Sequence, residues 1–175
     1  DPDSPAGSVA HEHLRAAYDD AAALRDMASR CDAVTTEFEN VPAQSLAYLS
    51  KFGPVRPSAE CVAIAQNRIS EKSFLSDHGF AVGPFALIRG EEDIEHADPA
   101  LFPCVLKVSR FGYDGKGQAR VANVGEAKAA WRGFNGEACV LEQMLPLECE
   151  VSCVVARAEN GATAIFPVAE NRHRG

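Results

Sequence analysis

LKVSRFGYDGKGQARV, residues 106–121, joins two apolar runs that have the composition of β-strands. A β-hairpin needs only a two-residue turn, and this connection is much longer and more charged. Its three glycines, Gly112, Gly115 and Gly117, allow the main chain to turn inward and to approach a ligand closely. The stretch therefore predicts two strands that are joined by a glycine-rich flap.

The flap is positively charged, although the chain as a whole is acidic. From Lys107 to Gln118 three basic residues stand against one acid, Asp114, whereas the 175-residue chain has a net charge of −8. Main-chain amides beside ammonium groups form a cradle for phosphate oxygens. Neither a Walker A pattern nor G-x-G-x-x-G is present. We expect a mobile flap that closes over a triphosphate and excludes water from a reactive intermediate, with a solvated hairpin tip as the alternative.

Composition excludes several classes of function. A net charge of −8 and a pI near 5.1 argue against nucleic acid or an anionic membrane as partner, because phosphate backbones select basic surfaces. No apolar run approaches the ~20 residues of a membrane span and no signal peptide is recognisable, so we expect a cytoplasmic protein. The six cysteines form no C-x-x-C pair and lie in apolar runs, which predicts reduced, buried thiols.

Residues 1–66 alternate helical and strand patterns, as parallel sheets covered by helices do. Helices are predicted over 11–31 with a break near Asp19, over 42–52, over 59–66 behind a capping Ser58, and over 68–79 up to Gly79. Strands are predicted within 32–40 and 55–58.

From residue 81 the pattern changes to α+β. Strands are predicted over 81–88, 103–110, 117–123 and 137–144, with one helix over 124–135. A final antiparallel pair, 148–158 and 163–171, is joined at Glu159-Asn160-Gly161, which is a hairpin signal. Cys149 and Cys153 flank a strand of this pair and are expected to be packed.

Three further features favour a nucleotide. Lys107 ends an apolar strand, so its stem is expected to be buried with the ammonium group at the mouth of the flap. The strand at 137–144 breaks at Gln-Met-Leu-Pro, which frees main-chain groups for the edge of an adenine ring. Glu150 follows Glu142 by eight residues and is placed to bind ribose hydroxyls, although each glutamate alone also fits a solvated strand.

The series of motifs resembles the ATP-grasp superfamily and, more closely, its 5-(carboxyamino)imidazole ribonucleotide synthetase family. The motifs that carry the resemblance are TTEFENVP (35–42), AQNRISEK (65–72), LKVSRFGYDGKGQARV (106–121), VLEQMLPLECEVS (140–152) and FPVAENRHRG (166–175). The resemblance implies an α/β fold: a partial Rossmann-like pre-ATP-grasp domain at 1–66, then an incomplete α+β ATP-grasp domain at 67–175. A lid subdomain would occupy about 81–145.

The resemblance also implies an activity. ATP phosphorylates bicarbonate to carboxyphosphate, the amine of 5-aminoimidazole ribonucleotide takes up the carboxyl group, and ADP and phosphate leave. The partners would thus be small molecules, with Mg²⁺ as the metal and a homodimer as the assembled form. Developing charge on the transferring phosphoryl group is stabilised by lysines, amides and a divalent metal.

Roles follow from the resemblance position by position. Nucleotide-binding positions are matched by Arg68, Lys107, Gly112, Tyr113, Asp114, Gly115, Lys116, Gly117, Gln118, Glu142, Gln143, Met144, Leu145, Glu150 and His173. Catalytic positions that hold bicarbonate or the imidazole substrate are matched by Tyr113, Lys116 and Glu37, with Glu39 as the competing choice for Glu37.

The family's N-terminal glycine-rich turn and its second half have no counterpart in these 175 residues. We therefore expect a fragment truncated at both ends, inactive by itself, whose metal ligands lie beyond residue 175. Two alternatives remain open: another ATP-grasp ligase, such as a formate-using purine transformylase or a biotin carboxylase, and a truncated nucleotide-binding module without catalysis.

Overall fold

The structure, a computed structural model, describes residues 4–112 and 117–172. A boundary between Gln143 and Met144 divides the described residues into two units. The helices of the first unit are α1 (Pro5–Val9), α2 (Ala21–Arg30), α3 (Ala43–Leu49), α4 (Ala59–Ala65), α5 (Arg68–Asp77), α6 (Glu91–Glu95) and α7 (Val124–Gly133), with a 3-10 turn at Pro99–Leu101. Its strands are β1 (Val34–Thr35), β2 (Val55–Arg56), β3 (Phe85–Ile88), β4 (Cys104–Val108), β5 (Gln118–Val121) and β6 (Cys139–Gln143).

The N-terminal part of the first unit is built as the alternation of patterns predicts. β1 and β2 pair in parallel, with Val34 opposite Val55. Helices α2, α3 and α4 cover this pair, and their shared core consists of Val41, Leu46, Leu49, Val55 and Val62, with Leu24 and Met27 of α2 packed against it.

The helix predicted over 11–31 is wrong in its first half. It begins only at Ala21, where the carboxylate of Asp20 accepts hydrogen bonds from the amides of Ala22 and Ala23. Residues 11–20 are exposed and non-helical, and a short helix occupies Pro5–Val9 instead. Alanine-rich composition favours a helix only weakly, and an exposed segment lacks the packing that supplies most helical stability.

Local signals at other helix ends are confirmed. The Ser58 hydroxyl accepts a hydrogen bond from the amide of Cys61 and begins α4. The predicted helix over 68–79 is α5, which the side chain of Asn67 caps. Gly79 follows with a φ of +75°, the left-handed conformation that glycine adopts readily after a helix.

β3, β6, β4 and β5 form an antiparallel sheet in that order. Side chains alternate across its strands, so Cys104 and Leu106 of β4 lie on one face while Val105 and Lys107 lie on the other. The first face forms the main core with Ile94 of α6 and Ala127 of α7. The second face carries Lys107 next to Val105 and the buried Val140.

The second unit consists of two short antiparallel pairs. β7 (Glu150–Ser152) pairs with β10 (Ala169–Asn171), and β8 (Val155–Arg157) pairs with β9 (Thr163–Ile165). The predicted hairpin at Asn160-Gly161 is confirmed, with Gly161 at a φ of +85°. Among the described residues, no helix has the length and apolar character needed to span a membrane.

The prediction that the cysteines are buried is wrong for four of the six. All six thiols are free, but only Cys104 and Cys139 are buried, both in the core face of the sheet. The exposed ones are Cys31, Cys61, Cys149 and Cys153. Cys149 and Cys153, which flank β7, are exposed and thus do not pack as expected.

Candidate active site

Three basic side chains converge on the carboxylate of Glu142. Lys107 Nζ lies 3.0 Å and Lys72 Nζ lies 3.4 Å from Glu142 Oε2, and Arg68 Nη1 lies 3.4 Å from Glu142 Oε1. We call these four residues the cation cluster. One negative charge against three positive ones leaves a net charge of +2, so the cluster can attract an anion such as a polyphosphate.

Strand pairing and helix spacing bring the cation cluster together. In the β4–β6 ladder Val105 is opposite Glu142 and Lys107 is opposite Val140. Lys107 and Glu142 are thus diagonal neighbours on one face of the sheet, within reach of a long side chain. Arg68 and Lys72 lie four residues apart on α5, which places both on the same face of that helix.

The first turn of α5 is anchored to the end of β4. The Arg68 amide donates a hydrogen bond of 2.9 Å to the carbonyl oxygen of Ser109. The Asn67 side chain accepts hydrogen bonds from the amides of Ile69 and Ser70 at the same end of the helix. These contacts fix the direction from which the guanidinium group of Arg68 reaches Glu142.

Glu142 is ionised within the cation cluster. Burial by itself would raise the pKa of this carboxyl group. The hydrogen bond from Lys107, and the charges of Lys107, Lys72 and Arg68, outweigh burial and lower the pKa below its ordinary value. The negative charge is therefore a permanent part of the site at neutral pH.

A cavity of about 390 Å³ opens beside the cation cluster. Its lining contains Thr36, Glu37, Phe38, Glu39 and Asn40 from the segment after β1, Arg68 and Glu71 of α5, and Val108, Ser109, Arg110, Phe111 and Gly112. Arg68 belongs to both the cavity and the cation cluster. The structure thus brings the predicted residues Glu37, Arg68 and Gly112 to one place, with the competing Glu39 beside them.

Gln66 holds the segment that carries Glu37 and Glu39. Its side-chain amide donates hydrogen bonds to the carbonyl oxygens of Glu39, at 2.7 Å, and Val41, at 2.5 Å. The Thr36 hydroxyl donates to the carbonyl oxygen of Phe38 at 3.0 Å within the same segment. The carboxylates at the cavity therefore stand on a braced backbone.

The base of the predicted flap is a hairpin between β4 and β5. Lys107 is directly opposite Gln118, and the Val108 amide donates to the carbonyl oxygen of Gly117 at 2.8 Å. Phe111 adopts a φ of +59°, which is unusual for an aromatic residue, and its ring is exposed beneath the guanidinium of Arg110. The predicted residues Tyr113, Asp114, Gly115, Lys116 and His173 lie outside the described residues.

The predicted adenine-binding segment begins where β6 ends. The Gln143 amide donates to the carbonyl oxygen of Pro84, and its side chain donates to that of Ala100 at 2.9 Å. In the second unit, Met144 is exposed and the carbonyl oxygen of Leu145 accepts from the Leu147 amide at 3.0 Å.

Glu150, the predicted ribose ligand, lies on the paired strands of the second unit. Its Oε1 accepts a hydrogen bond of 2.9 Å from Asn171 Nδ2. Asn171 also donates to the Ser152 hydroxyl at 2.6 Å, so one amide connects β7 and β10. Glu150 is thereby held on the exposed surface of this pair.

The sequence does not predict Lys72 or Gln66 as site residues. Both lie in AQNRISEK, and Lys72 follows Arg68 by four residues, which is the spacing of one helix face. That spacing was a usable signal for Lys72. Gln66 carries no such signal, because its partners Glu39 and Val41 lie 27 and 25 residues away in the chain.

Over residues 4–112 and 117–172, no three side chains of His, Cys, Asp or Glu are grouped so that they could hold a metal ion. The described residues thus offer no site of three protein ligands for the Mg²⁺ that the resemblance implies.

The cation cluster on an antiparallel sheet, beside a cavity, fits a protein that binds a polyphosphate. The ATP-grasp domain family model matches residues 73–175, and the chain belongs to this family. A model of the ribonucleotide synthetase preATP-grasp domain matches residues 1–66. The predicted fold class is thereby confirmed.

Several curated relatives of this chain share one name. The N5-carboxyaminoimidazole ribonucleotide synthase of Pseudomonas aeruginosa is 41% identical over 173 residues, which cover 98% of this chain and 48% of that protein. This confirms the resemblance on which the predicted activity rests. The chain spans about half the length of the curated relatives it matches.

Solved structures agree with this relationship. The N5-carboxyaminoimidazole ribonucleotide synthetase of Thermus thermophilus superposes with a TM-score of 0.91 at 35% identity, covering 100% of this chain and 47% of that one. The N5-carboxyaminoimidazole synthetase of Staphylococcus aureus complexed with ADP gives a TM-score of 0.90 at 36% identity, covering 97% and 46%.

Proposed function

We propose that this chain supplies the nucleotide-binding half of an ATP-dependent carboxylase that acts on 5-aminoimidazole ribonucleotide. The product would be N5-carboxyaminoimidazole ribonucleotide, which is the compound in the name of the relatives. Because the chain spans about half of those proteins, we propose the activity for the full-length gene product and not for these 175 residues alone.

The observation that carries the proposal is the position of Arg68. Its guanidinium belongs to the cation cluster, while the same residue lines the cavity that contains Glu37. A phosphoryl group bound by the cation cluster would therefore lie beside the cavity, where the imidazole substrate that accepts the carboxyl group is proposed to bind. Such proximity is what transfer of an activated carboxyl group requires.

The proposed reaction has two steps. A bicarbonate oxygen attacks the γ-phosphorus of ATP, which forms carboxyphosphate and releases ADP. The substrate amine then attacks the carboxyl carbon, and phosphate leaves. Lys107 and Arg68 would neutralise the charge that develops on the phosphoryl oxygens.

Residues at the cavity would handle the acceptor. Glu37 is proposed to accept a hydrogen bond from the imidazole substrate, with Glu39 as the alternative on the same braced segment. Tyr113 and Lys116 are proposed to hold bicarbonate or the substrate. The flap over Gly112 to Gln118 is proposed to exclude water from carboxyphosphate, which hydrolyses readily.

The remaining assignments also stay proposals. Glu142 to Leu145 would bind adenine, Glu150 the ribose, and His173 a further part of the nucleotide. The division into domains at 1–66 and 67–175, with a lid at about 81–145, a homodimer, and a cytoplasmic location belong to the same hypothesis. Mg²⁺ would be bound by residues outside the described part of the chain.

The test is an assay of the full-length gene product with ATP, labelled bicarbonate and 5-aminoimidazole ribonucleotide. We expect ADP release that depends on both other substrates, and label in an acid-labile carbamate. Transfer from formate in place of bicarbonate, or carboxylation of biotin, would overturn the proposal in favour of another ATP-grasp ligase. Nucleotide binding without any turnover would favour a non-catalytic module.

A further inference from the structure

Lys72 is a member of the cation cluster that the nucleotide-binding pattern of the family resemblance does not include. Its ammonium group lies 3.4 Å from Glu142 Oε2, the same oxygen that Lys107 contacts at 3.0 Å. The side chain is only 16% exposed. Burying an ammonium group costs free energy, and Glu142 is already paired with Lys107. The position of Lys72 therefore indicates a specific role.

We propose that Lys72 is a positioning residue that serves as the standing counter-ion of Glu142 and thereby frees Lys107 to bind a phosphate oxygen of ATP. The inference rests on the proposed function, in which Lys107 is a phosphate ligand. It adds the residue that makes Lys107 available when the nucleotide arrives.

The geometry separates the two lysines into a fixed one and a releasable one. Lys72 projects from α5 and its ammonium group also lies 5.8 Å from the centre of the Phe85 ring, so a carboxylate and an aromatic ring both hold it. Lys107 instead lies on β4 directly opposite Gln118, at the base of the predicted flap. It is thus Lys107 that stands next to the segment proposed to cover the triphosphate.

Glu142 must stay neutralised when the nucleotide binds. The carboxylate is only 15% exposed, and leaving a sheltered charge unpaired is strongly unfavourable. If Lys107 were its main partner, moving Lys107 to a phosphate would leave Glu142 poorly neutralised. The free energy of ATP binding would then be less favourable by the cost of this unpaired charge. While Lys107 is away, Lys72 keeps Oε2 paired. Arg68 can keep one N–H group on Oε1 and still donate to a phosphoryl oxygen, because a guanidinium group has five N–H donors.

The test is a set of variants of the full-length gene product, titrated calorimetrically with a non-hydrolysable ATP analogue. Lys72→Met removes the charge and keeps much of the stem, and we expect the analogue to bind about tenfold more weakly. Lys72→Arg keeps the charge and should bind within about twofold of the wild type. Lys72→Gln, which is more polar, is measured in parallel so that poor folding of one variant does not decide the outcome.

The decisive measurement adds Glu142→Gln. Once the carboxylate is gone no counter-ion is needed, so Lys72→Met/Glu142→Gln should bind the analogue as well as Glu142→Gln alone. A merely structural role for Lys72 would not be rescued in this way. If the double variant remains about tenfold weaker than Glu142→Gln, Lys72 contacts the nucleotide itself and the counter-ion role is overturned.

Lys128→Met is the matched control. Lys128 lies on α7, is 22% exposed, and also pairs with two carboxylates, those of Glu91 and Glu95, away from the cation cluster. Its loss should leave the affinity for the analogue unchanged. Equal binding by wild type and Lys72→Met would overturn this inference alone, whereas a wild type that binds no adenine nucleotide would overturn the proposed function as well.

Discussion

Lys107 and Glu142, 35 residues apart in the chain, form an ion pair of 3.0 Å across β4 and β6. The pair is diagonal in the ladder and lies on the face of the sheet opposite to the main core. Arg68 and Lys72 reach the same carboxylate. The cation cluster therefore has a net positive charge, although the ionised Glu142 lies at its centre. A pre-arranged positive site is what electrostatic stabilisation of a phosphoryl group requires.

Removing the Lys107 charge should impair the use of ATP far more than it impairs folding. For Lys107→Met in the full-length gene product we expect kcat/KM for ATP to fall roughly 10- to 100-fold, since a hydrogen bond to a charged group contributes about 1.5–3 kcal/mol. The melting temperature should change little, because Lys72 and Arg68 still neutralise Glu142. Unchanged nucleotide kinetics would refute a role for Lys107 as a phosphate ligand.

Removing the two hydrogen bonds from the Gln66 side chain should weaken binding of the imidazole substrate more than binding of ATP. Gln66→Ala leaves the carbonyl oxygens of Glu39 and Val41 without these partners, so we expect a loss of about 1–3 kcal/mol in stability. Steady-state kinetics should show a larger rise in KM for the imidazole substrate than for ATP, because the loosened segment carries Glu37. Gln44→Ala, on the exposed side of α3, is the control and should change neither quantity. A rise confined to the KM for ATP would contradict the assignment.

Gly117 should not tolerate a side chain. Its φ is +71°, and a Cβ there would lie 2.5 Å from Val108 Cγ2. The left-handed conformation alone costs an alanine roughly 1–2 kcal/mol, and the overlap adds to it, so Gly117→Ala should lower the urea midpoint clearly. Gly133→Ala at the end of α7 is the matched control, since a Cβ there meets nothing within 4 Å, and it should be neutral or slightly stabilising. Equal midpoints for the two variants would contradict this account of the hairpin.

The cysteines should divide into two reactivity classes. Burial raises the pKa of the Cys104 thiol to about 11, and burial with the charge of Glu137 raises the pKa of the Cys139 thiol to about 11. Iodoacetamide at pH 8, followed by mass spectrometry, should label Cys61 quickly and these two only after unfolding, because the thiolate is the nucleophile. Labelling of Cys104 at the rate of Cys61 would show that the core face of the sheet is open.

The same two thiols make stability depend on alkaline pH. An unfolded cysteine loses its proton near a pKa of about 8.5, whereas the folded thiols keep theirs to about 11. Their contribution is therefore complete below about pH 8.5 and is lost as the pH rises toward 11. The urea midpoint should fall between pH 8 and pH 10, and Cys104→Ala should reduce the size of that fall relative to Cys61→Ala. An unaltered fall in Cys104→Ala would assign the effect to other groups.

Much of the fold can be predicted from short-range signals. Ser58 begins α4, Gly79 follows α5, and Asn160-Gly161 turns a hairpin, because each depends on a few neighbouring residues. Arg68, Lys107 and Glu142 can also be selected from their motifs. These are the positions where the backbone or side-chain chemistry restricts the choice of residue.

The rest depends on contacts that are distant in the chain. Lys72 joins the cation cluster only because β6 lies between β3 and β4, and no local pattern specifies that strand order. The same holds for Gln66, whose partners belong to another segment. For residues 11–20 the sequence predicts a helix that the structure does not contain. Their composition favours a helix, but the segment has no packed face to stabilise one.

The strand order also constrains synthesis on the ribosome. β6 is the last strand of its sheet to be translated, yet it lies between β3 and β4, which emerge first. A nascent chain that stops before Cys139 carries the apolar faces of β3 and of the β4–β5 hairpin without the strand that unites them. Since pairing of distant segments is slow, these apolar faces stay exposed during this interval, and exposed apolar surface favours aggregation.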